Sequence, residues 1–356
     1  MNNKMLDIYT DYLICQNKYA TATGLAALLP LEVSHDKVTK FLNSSDMGSK
    51  ELWSYIKPQV RQHETPQGGV LILDDSIEEK PYTDENEIVC WHHSHTHNRH
   101  VKGINILSSI VLYGDISSPV SYEIVRKDTS FSDIATRKLR RTSSISKNEH
   151  FRNLIKQSVD NRVLFDYVLA DNWFGSKENL KYIDNLNKNF IIGVKSNRTV
   201  ALSESEKISK KLVQVSSLNM QDGESKSVWL KDVGFMVVLI KKVFKNEDGT
   251  MGTLYLITND IQHDADYLYQ IYQKRWKIEV YHKSIKQNTS LAKSPTKRVR
   301  SQANHIFASI VAFCKLEALK VVTATNHFAL KYKLVLKANI ASMQELAKLR
   351  SDHMFA

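Results

Sequence analysis

Three carboxylates carry the chemistry that this sequence suggests. Asp75 closes the run VLILDD, Asp171 closes VLFDYVLAD, and Glu279 stands between Ile271 and Arg300 among nine Lys or Arg with no second acid. Hard divalent cations such as Mg²⁺ take carboxylate oxygens, and paired ions about 3.5–4 Å apart clamp the attacking and leaving oxygens of a phosphodiester displacement. Two Mg²⁺, with Mn²⁺ as a substitute, are the expected cofactors. One ion would activate water or a 3′ hydroxyl, and the other would stabilise the departing alkoxide. Asp75, Asp171 and Glu279 are therefore the expected catalytic and metal-binding residues. The structural alternative treats the strand-end aspartates as turn or cap residues and Glu279 as a stray charge on a solvated basic helix.

These acids need elements to hold them. Residues 264–294 contain no Gly or Pro, and Asp264 is a good helix cap, so the spacing predicts a helix of several turns. Leu268, Ile271, Ile278 and Ile285 form its apolar stripe. Tyr272, Arg275, Glu279 and Lys286 share a sector about 60° wide beside that stripe. VLILDDS and VLFDYVLADNWFGS each read as a buried strand ending in acid, and in α/β sheets that end of a strand is where sites are built. FIIGVKSNR adds a strand ending in Lys195 and Arg198. The acids are separated by 96 residues (171 − 75) and 108 residues (279 − 171).

The rest of the chain sets limits. Its 356 residues suffice for a substantial core, and the net charge of +11 favours a polyanionic partner, nucleic acid before an acidic membrane. No apolar run is long enough to span a bilayer, and MNNKMLDIYTDYL lacks a signal-peptide layout. Cys15, Cys90 and Cys314 form no CxxC pair, as expected of a reduced cytoplasmic protein. Residues 1–66 read as helical, and 23–45 fit either a helix-turn-helix presenting Ser34, His35, Lys37 and Lys40 or a small packing subdomain. The histidines at 92, 93, 95, 97 and 100 lack the partners of a usual zinc set, although His93, His95 and His97 would share a strand face. A polar strand edge near nucleic acid is the better reading. Residues 132–161 read as a basic helix, 199–262 as a β-rich insertion, and 326–356 as a helical tail.

The spacing Tyr272-x2-Arg275-x3-Glu279-x6-Lys286 resembles the Y-R-E-K signature of DDE transposases of the insertion-sequence-four family, to which the Tn-five transposase belongs. LDDS resembles that family's first-aspartate motif, VLADNWFGS its second, and the β-rich stretch its insertion. The likeness spans about residues 70–320. It implies an α/β fold with a ribonuclease-H-like mixed sheet core flanked by helices, made from 67–198 and 263–325. The small helical N-terminal region would then contact DNA ends. The implied enzyme is a bacterial, nucleoid-associated DDE transposase acting on double-stranded DNA, both transposon ends and target, as a homodimer without membrane association. Cut-and-paste transfer through hairpin ends is implied as well. Tyr272, Arg275 and Lys286 match positions that grip end phosphates. Lys283, Lys195, Arg198, Arg298 and Arg300 are further candidate DNA contacts, and Trp229 is the candidate for stacking on a flipped base or, alternatively, a core residue of the insertion. Two other readings remain open: a degenerate, regulatory DNA-binding protein, and a host ribonuclease-H-like nuclease.

Overall fold

The computed structural model describes residues 3–94, 98–134 and 137–354. Helices α1 (Asn3–Cys15), α2 (Ala22–Leu28), α3 (His35–Leu42) and α4 (Ser49–His63) come first. Strands β1 (Val70–Glu79), β2 (Cys90–Ser94), β3 (Arg99–Tyr113) and β4 (Ile116–Ile124) follow, then a hairpin of β5 (Thr129–Asp133) and β6 (Lys138–Thr142). Next are α5 (Lys147–Asp160), β7 (Tyr167–Ala170), α6 (Lys177–Asn185) and β8 (Asn189–Val194). Residues 199–258 supply β9 (Thr199–Ala201), α7 (Glu204–Ile208), β10 (Val213–Gln214), β11 (Ser225–Leu230), β12 (Met236–Lys245) and β13 (Met251–Thr258). The chain continues through α8 (Ala265–Gln273), α9 (Trp276–Asn288), α10 (Val299–Thr323) and α11 (His327–Met354).

Continuous apolar runs make the central strands. Val70–Leu73, Tyr167–Ala170 and Phe190–Val194 are buried throughout, as parallel strands covered on both faces must be. β1, β7 and β8 pair in parallel, while β3 joins β1 and β4 joins β3 in antiparallel fashion. The order β4-β3-β1-β7-β8 with helices on its faces is the ribonuclease-H-like arrangement. Strands of 199–258 do not form a separate sheet: β13 pairs antiparallel with β8, and β12, β11, β9 and β10 continue outward in that order. Ser146, Ser176 and Asp264 cap α5, α6 and α8, each accepting a bond from the backbone N–H three residues on.

α10 is buried along most of its length and ties the N-terminal helices to the core. Asn304 donates to the carbonyls of Leu42 and Ser45 and accepts from the Met47 N–H. α3 buries Val38, Phe41 and Leu42 while His35, Lys37 and Lys40 face solvent, and Ser34 caps it.

Two local expectations change. The single helix over 264–294 is broken at Lys274–Arg275 into α8 and α9. There the backbone switches to i→i+3 bonds, Lys274 N–H to Ile271 C=O and Arg275 N–H to Tyr272 C=O, which tighten one turn. The apolar stripe Leu268, Ile271, Ile278 and Ile285 stays buried across the break. Residues 132–161 are not one helix: 129–142 form the β5–β6 hairpin, and only Lys147–Asp160 is helical. His95 and His97 lie outside the described residues, and His93 and His100 meet edge to face with ring centres 5.4 Å apart.

Candidate active site

The parallel register of β1 and β7 places Ile72 opposite Leu169. Two residues on, Asp74 in the middle of β1 and Asp171 just past the end of β7 lie side by side. β1 does not end at its acids, as the sequence suggested, but runs on to Glu79 in pairing with β3. Asp171 caps a short turn over Asn172–Phe174, with Oδ1 accepting from the Trp173 N–H at 3.0 Å. The third acid comes from α9, whose first turn carries Glu279 and whose second carries His282. Asp74, Glu279 and His282 bring one ligand atom each within 4.8 Å of the others.

Charge is crowded here. Burial raises the Asp74 carboxyl well above the ordinary carboxylate range, and the negative charges of Asp171, Asp75 and Glu279 raise it further. The Asp171 carboxyl is also raised, chiefly by burial. His282 is buried and neutral: burial, then Lys286, pushes it down to about 3, and its Nε2 has no hydrogen-bond partner among the described residues. An orphaned imidazole nitrogen beside two crowded carboxylates fits a divalent cation, which would relieve both the repulsion and the unmet lone pair.

Arg275 supplies the counter-charge within the protein. Its Nη1 is 3.5 Å from Glu279 Oε1 and 3.9 Å from Asp74 Oδ2. Its Cζ lies 5.9 Å from the Tyr272 ring centre. Tyr272 is buried, and its hydroxyl approaches β8 at Gly193, where an added Cβ would sit only 3.3 Å away. Lys286 Nζ donates to the Ile77 carbonyl at 2.8 Å, and burial lowers its pKa. Lys283 is exposed at the mouth of the same cleft, a cavity of about 600 Å³.

Asp75 lines the same cleft, and its charge acts on Asp171, His282 and Asp74. Its Oδ2 accepts from Lys147 Nζ at 2.7 Å and Asn105 Nδ2 at 2.6 Å. Among the described residues, the β1 acid grouped with Glu279 and His282 is Asp74, with the expected Asp75 next to it in the cleft. Lys195 and Arg198 line an adjoining cavity with Trp173 and Lys177. Trp229 is half-buried on β11 with Lys207 Nζ 4.9 Å above its ring. Arg298 and Arg300 are exposed at the start of α10, away from the cleft, and Arg300 pairs with Asp46 at 2.9 Å. Asp74, His282, Lys147 and Trp173 escaped the sequence reading. The i,i+3 spacing of Glu279 and His282 on one helix face was the available signal for His282.

Residues 1–212 match the family described as DDE superfamily endonuclease, and residues 133–314 match the family described as Transposase DDE domain. No curated protein matches the chain. Each family match covers more than half of the sequence, and the large mixed sheet flanked by helices is consistent with a ribonuclease-H-like DDE fold. The chain belongs to the DDE superfamily of endonucleases and transposases.

Proposed function

We propose that this protein is a DNA transposase of the insertion-sequence-four type, which cuts an element from DNA at its terminal inverted repeats and joins it to a new site. The observation that carries this reading is the meeting of Asp74, Glu279 and the unpartnered His282 beside Asp171 in a cation-lined cleft. Asp74, Asp171 and Glu279 are the catalytic acids of the proposal, and His282 completes the ligand set. Magnesium, as two ions, is the proposed cofactor, with manganese as substitute. A divalent cation bound there supplies Lewis-acid polarisation of the scissile phosphate.

The chain's own groups perform the remaining tasks. Arg275, held between Asp74 and Glu279, would be the guanidinium at hand for a phosphate oxygen if a cation offset their charge. Lys286 and Lys283 flank the cleft as phosphate contacts, and Lys147 holds Asp75 on the opposite rim. Lys195 and Arg198 extend this positive surface past Trp173. Trp229 is assigned to a displaced base during hairpin formation. The exposed His35, Lys37 and Lys40 of α3 serve end recognition.

Two protomers act together, one for each element end. In support, Leu336, Ile340, Met343 and Leu346 lie on one face of α11 and are all exposed, a heptad-like stripe suited to a second copy.

The direct test uses labelled duplex carrying the gene's own flanking inverted repeat, with Mg²⁺ or Mn²⁺. Wild type should cut at the repeat boundary, and Asp74→Asn and Glu279→Gln should bind without cutting. Binding by wild type with no cutting under either metal and with paired ends supplied would replace this reading with a regulatory DNA-binding protein.

A further inference from the structure

A second concavity opens where β2 and β3 meet the β5–β6 hairpin. It is a cavity of about 430 Å³, within the roughly 300–1,000 Å³ typical of small-ligand sites. Two aromatic rings from different elements reach it, Trp91 on β2 and Phe131 on β5, and they stay 52% and 45% exposed. Large aromatic surfaces left in water inside one concavity mark a recognition surface more often than a packing defect. Cations complete the walls: Lys127, whose Nζ donates to the Trp91 carbonyl at 2.6 Å, the half-buried Arg141, and Arg140, which pairs with Asp133 at 2.8 Å. Glu85 is the acid among the lining residues.

Flat π faces beside cations match one ligand class well, a nucleotide with an accessible base face and a phosphate. In a duplex both faces of each base are covered by stacking, so the base that enters must be unpaired.

The pocket adjoins the acidic cleft. His93 and Ser94 line the cleft, while Trp91, two residues earlier on the same face of β2, lines the pocket. That offset is roughly 6.7 Å along a strand. His100 of the pocket wall touches His93 edge to face, ring centres 5.4 Å apart. A DNA strand leaving the cleft therefore meets the pocket within a nucleotide or two.

We propose that the Trp91–Phe131–Arg141 pocket binds an unpaired nucleotide of the DNA strand next to the phosphate held in the acidic cleft. The proposal rests on the nuclease–transposase reading of that cleft.

The test is binding of a fluorescent hexathymidine oligonucleotide to the full chain in EDTA, compared with a blunt duplex of the cleavage substrate. Trp91→Ala and Phe131→Ala should each weaken oligonucleotide binding about 10-fold, the loss expected for one stacked base. Duplex binding should change by less than about twofold, because stacked bases present no free face. Trp91→Phe should recover most of the affinity while losing the oligonucleotide-induced quenching of tryptophan emission. Arg141→Gln should reduce the salt slope by about 0.7, the single-strand value for one phosphate contact. Oligonucleotide binding by Trp91→Ala and Phe131→Ala within twofold of wild type, or equal losses for oligonucleotide and duplex, would overturn the pocket. Cleavage by Asp74→Asn tests the cleft separately: if that variant is inactive while Trp91→Ala binds normally, the pocket falls and the cleft stands.

Discussion

The backbone N–H of Asp75 donates to Oδ1 of Asp74 at 2.9 Å, and from there the two side chains face different neighbours. Asp74 looks toward Arg275, Glu279 and His282. Asp75 looks toward Lys147 and Asn105. Adjacent acids of one motif therefore have separable roles. Asp74→Asn should reduce metal-dependent cleavage below detection, whereas Asp75→Asn, a residue that orients the rim, should lose roughly 10–100-fold. Single-turnover cleavage of the inverted-repeat duplex distinguishes them, and equal loss in both variants would deny the division.

Removing charge at Asp74 should have the opposite effect on stability. Its carboxyl is raised above the ordinary 3.8 by burial and by neighbouring acids. A raised acid stabilises the fold below its unfolded value and loses that contribution as pH rises through the folded value. Metal-free protein should thus lose stability from about pH 4 toward neutrality. Asp74→Asn should flatten that decline and raise the neutral-pH melting temperature by roughly 2–4 °C. Thermal melts in EDTA over a pH series provide the check, and a wild-type profile that rises across the same range contradicts the prediction.

Arg275 should behave in the reverse sense. Its guanidinium stands between Asp74 and Glu279, so Arg275→Gln leaves those carboxylates uncompensated. The metal-free variant should melt roughly 2–4 °C below wild type. Mn²⁺ should erase most of that difference while DNA binding stays weakened. If Mn²⁺ leaves the gap unchanged, Arg275 is not the resident counter-ion of this site.

A buried relay behind the site should govern acid stability. Ser284 of α9 meets His327 Nδ1 at 2.9 Å, and His327 Nε2 lies 2.8 Å from Glu317 of α10. Burial pushes the Glu317 carboxyl up, but bonds from His327, Lys320 and the Ser117 N–H outweigh it and hold the carboxyl below the ordinary 4.5. Such a group stabilises above its unfolded value, and the contribution is lost as pH falls through the folded value. Glu317→Ala should cost about 3–5 kcal/mol, the usual penalty for breaking one side of a buried pair. Glu317→Gln should make the acid limb of the stability profile shallower. Denaturant titrations between about pH 3 and 7 measure both effects.

The α11 stripe predicts oligomeric state. Leu336→Glu with Met343→Glu places two charges on an exposed face of α11. Light scattering after size exclusion should then show a monomer with unchanged helical content. A wild type that is itself monomeric at micromolar concentration, with and without end DNA, would remove α11 as the dimer surface.

Much of the site could be read from local pattern. The runs before Asp74–Asp75 and Asp171 announce buried strands because parallel strands covered on both faces must be apolar throughout. The spacing from Tyr272 to Lys286 picks out one helical sector because the helix repeat is local. The basic residues of 137–142 gave no comparable signal, since KLRRT has neither clean alternation nor a turn-forming glycine, and the hairpin forms by pairing with 129–133.

What the sequence alone determined was which elements bear acids and which segment bears cations, because both follow from periodicities of two and 3.6 residues along the chain. Tertiary structure decided that Asp74, not Asp75, meets Glu279, since facing depends on the Ile72–Leu169 register between strands far apart in sequence. It also decided that His282 Nε2 is left without a partner among the described residues and that residues 199–258 extend the main sheet from β8. A polar atom's satisfaction and a strand's neighbour are properties of what packs against them, and no spacing within one segment encodes either.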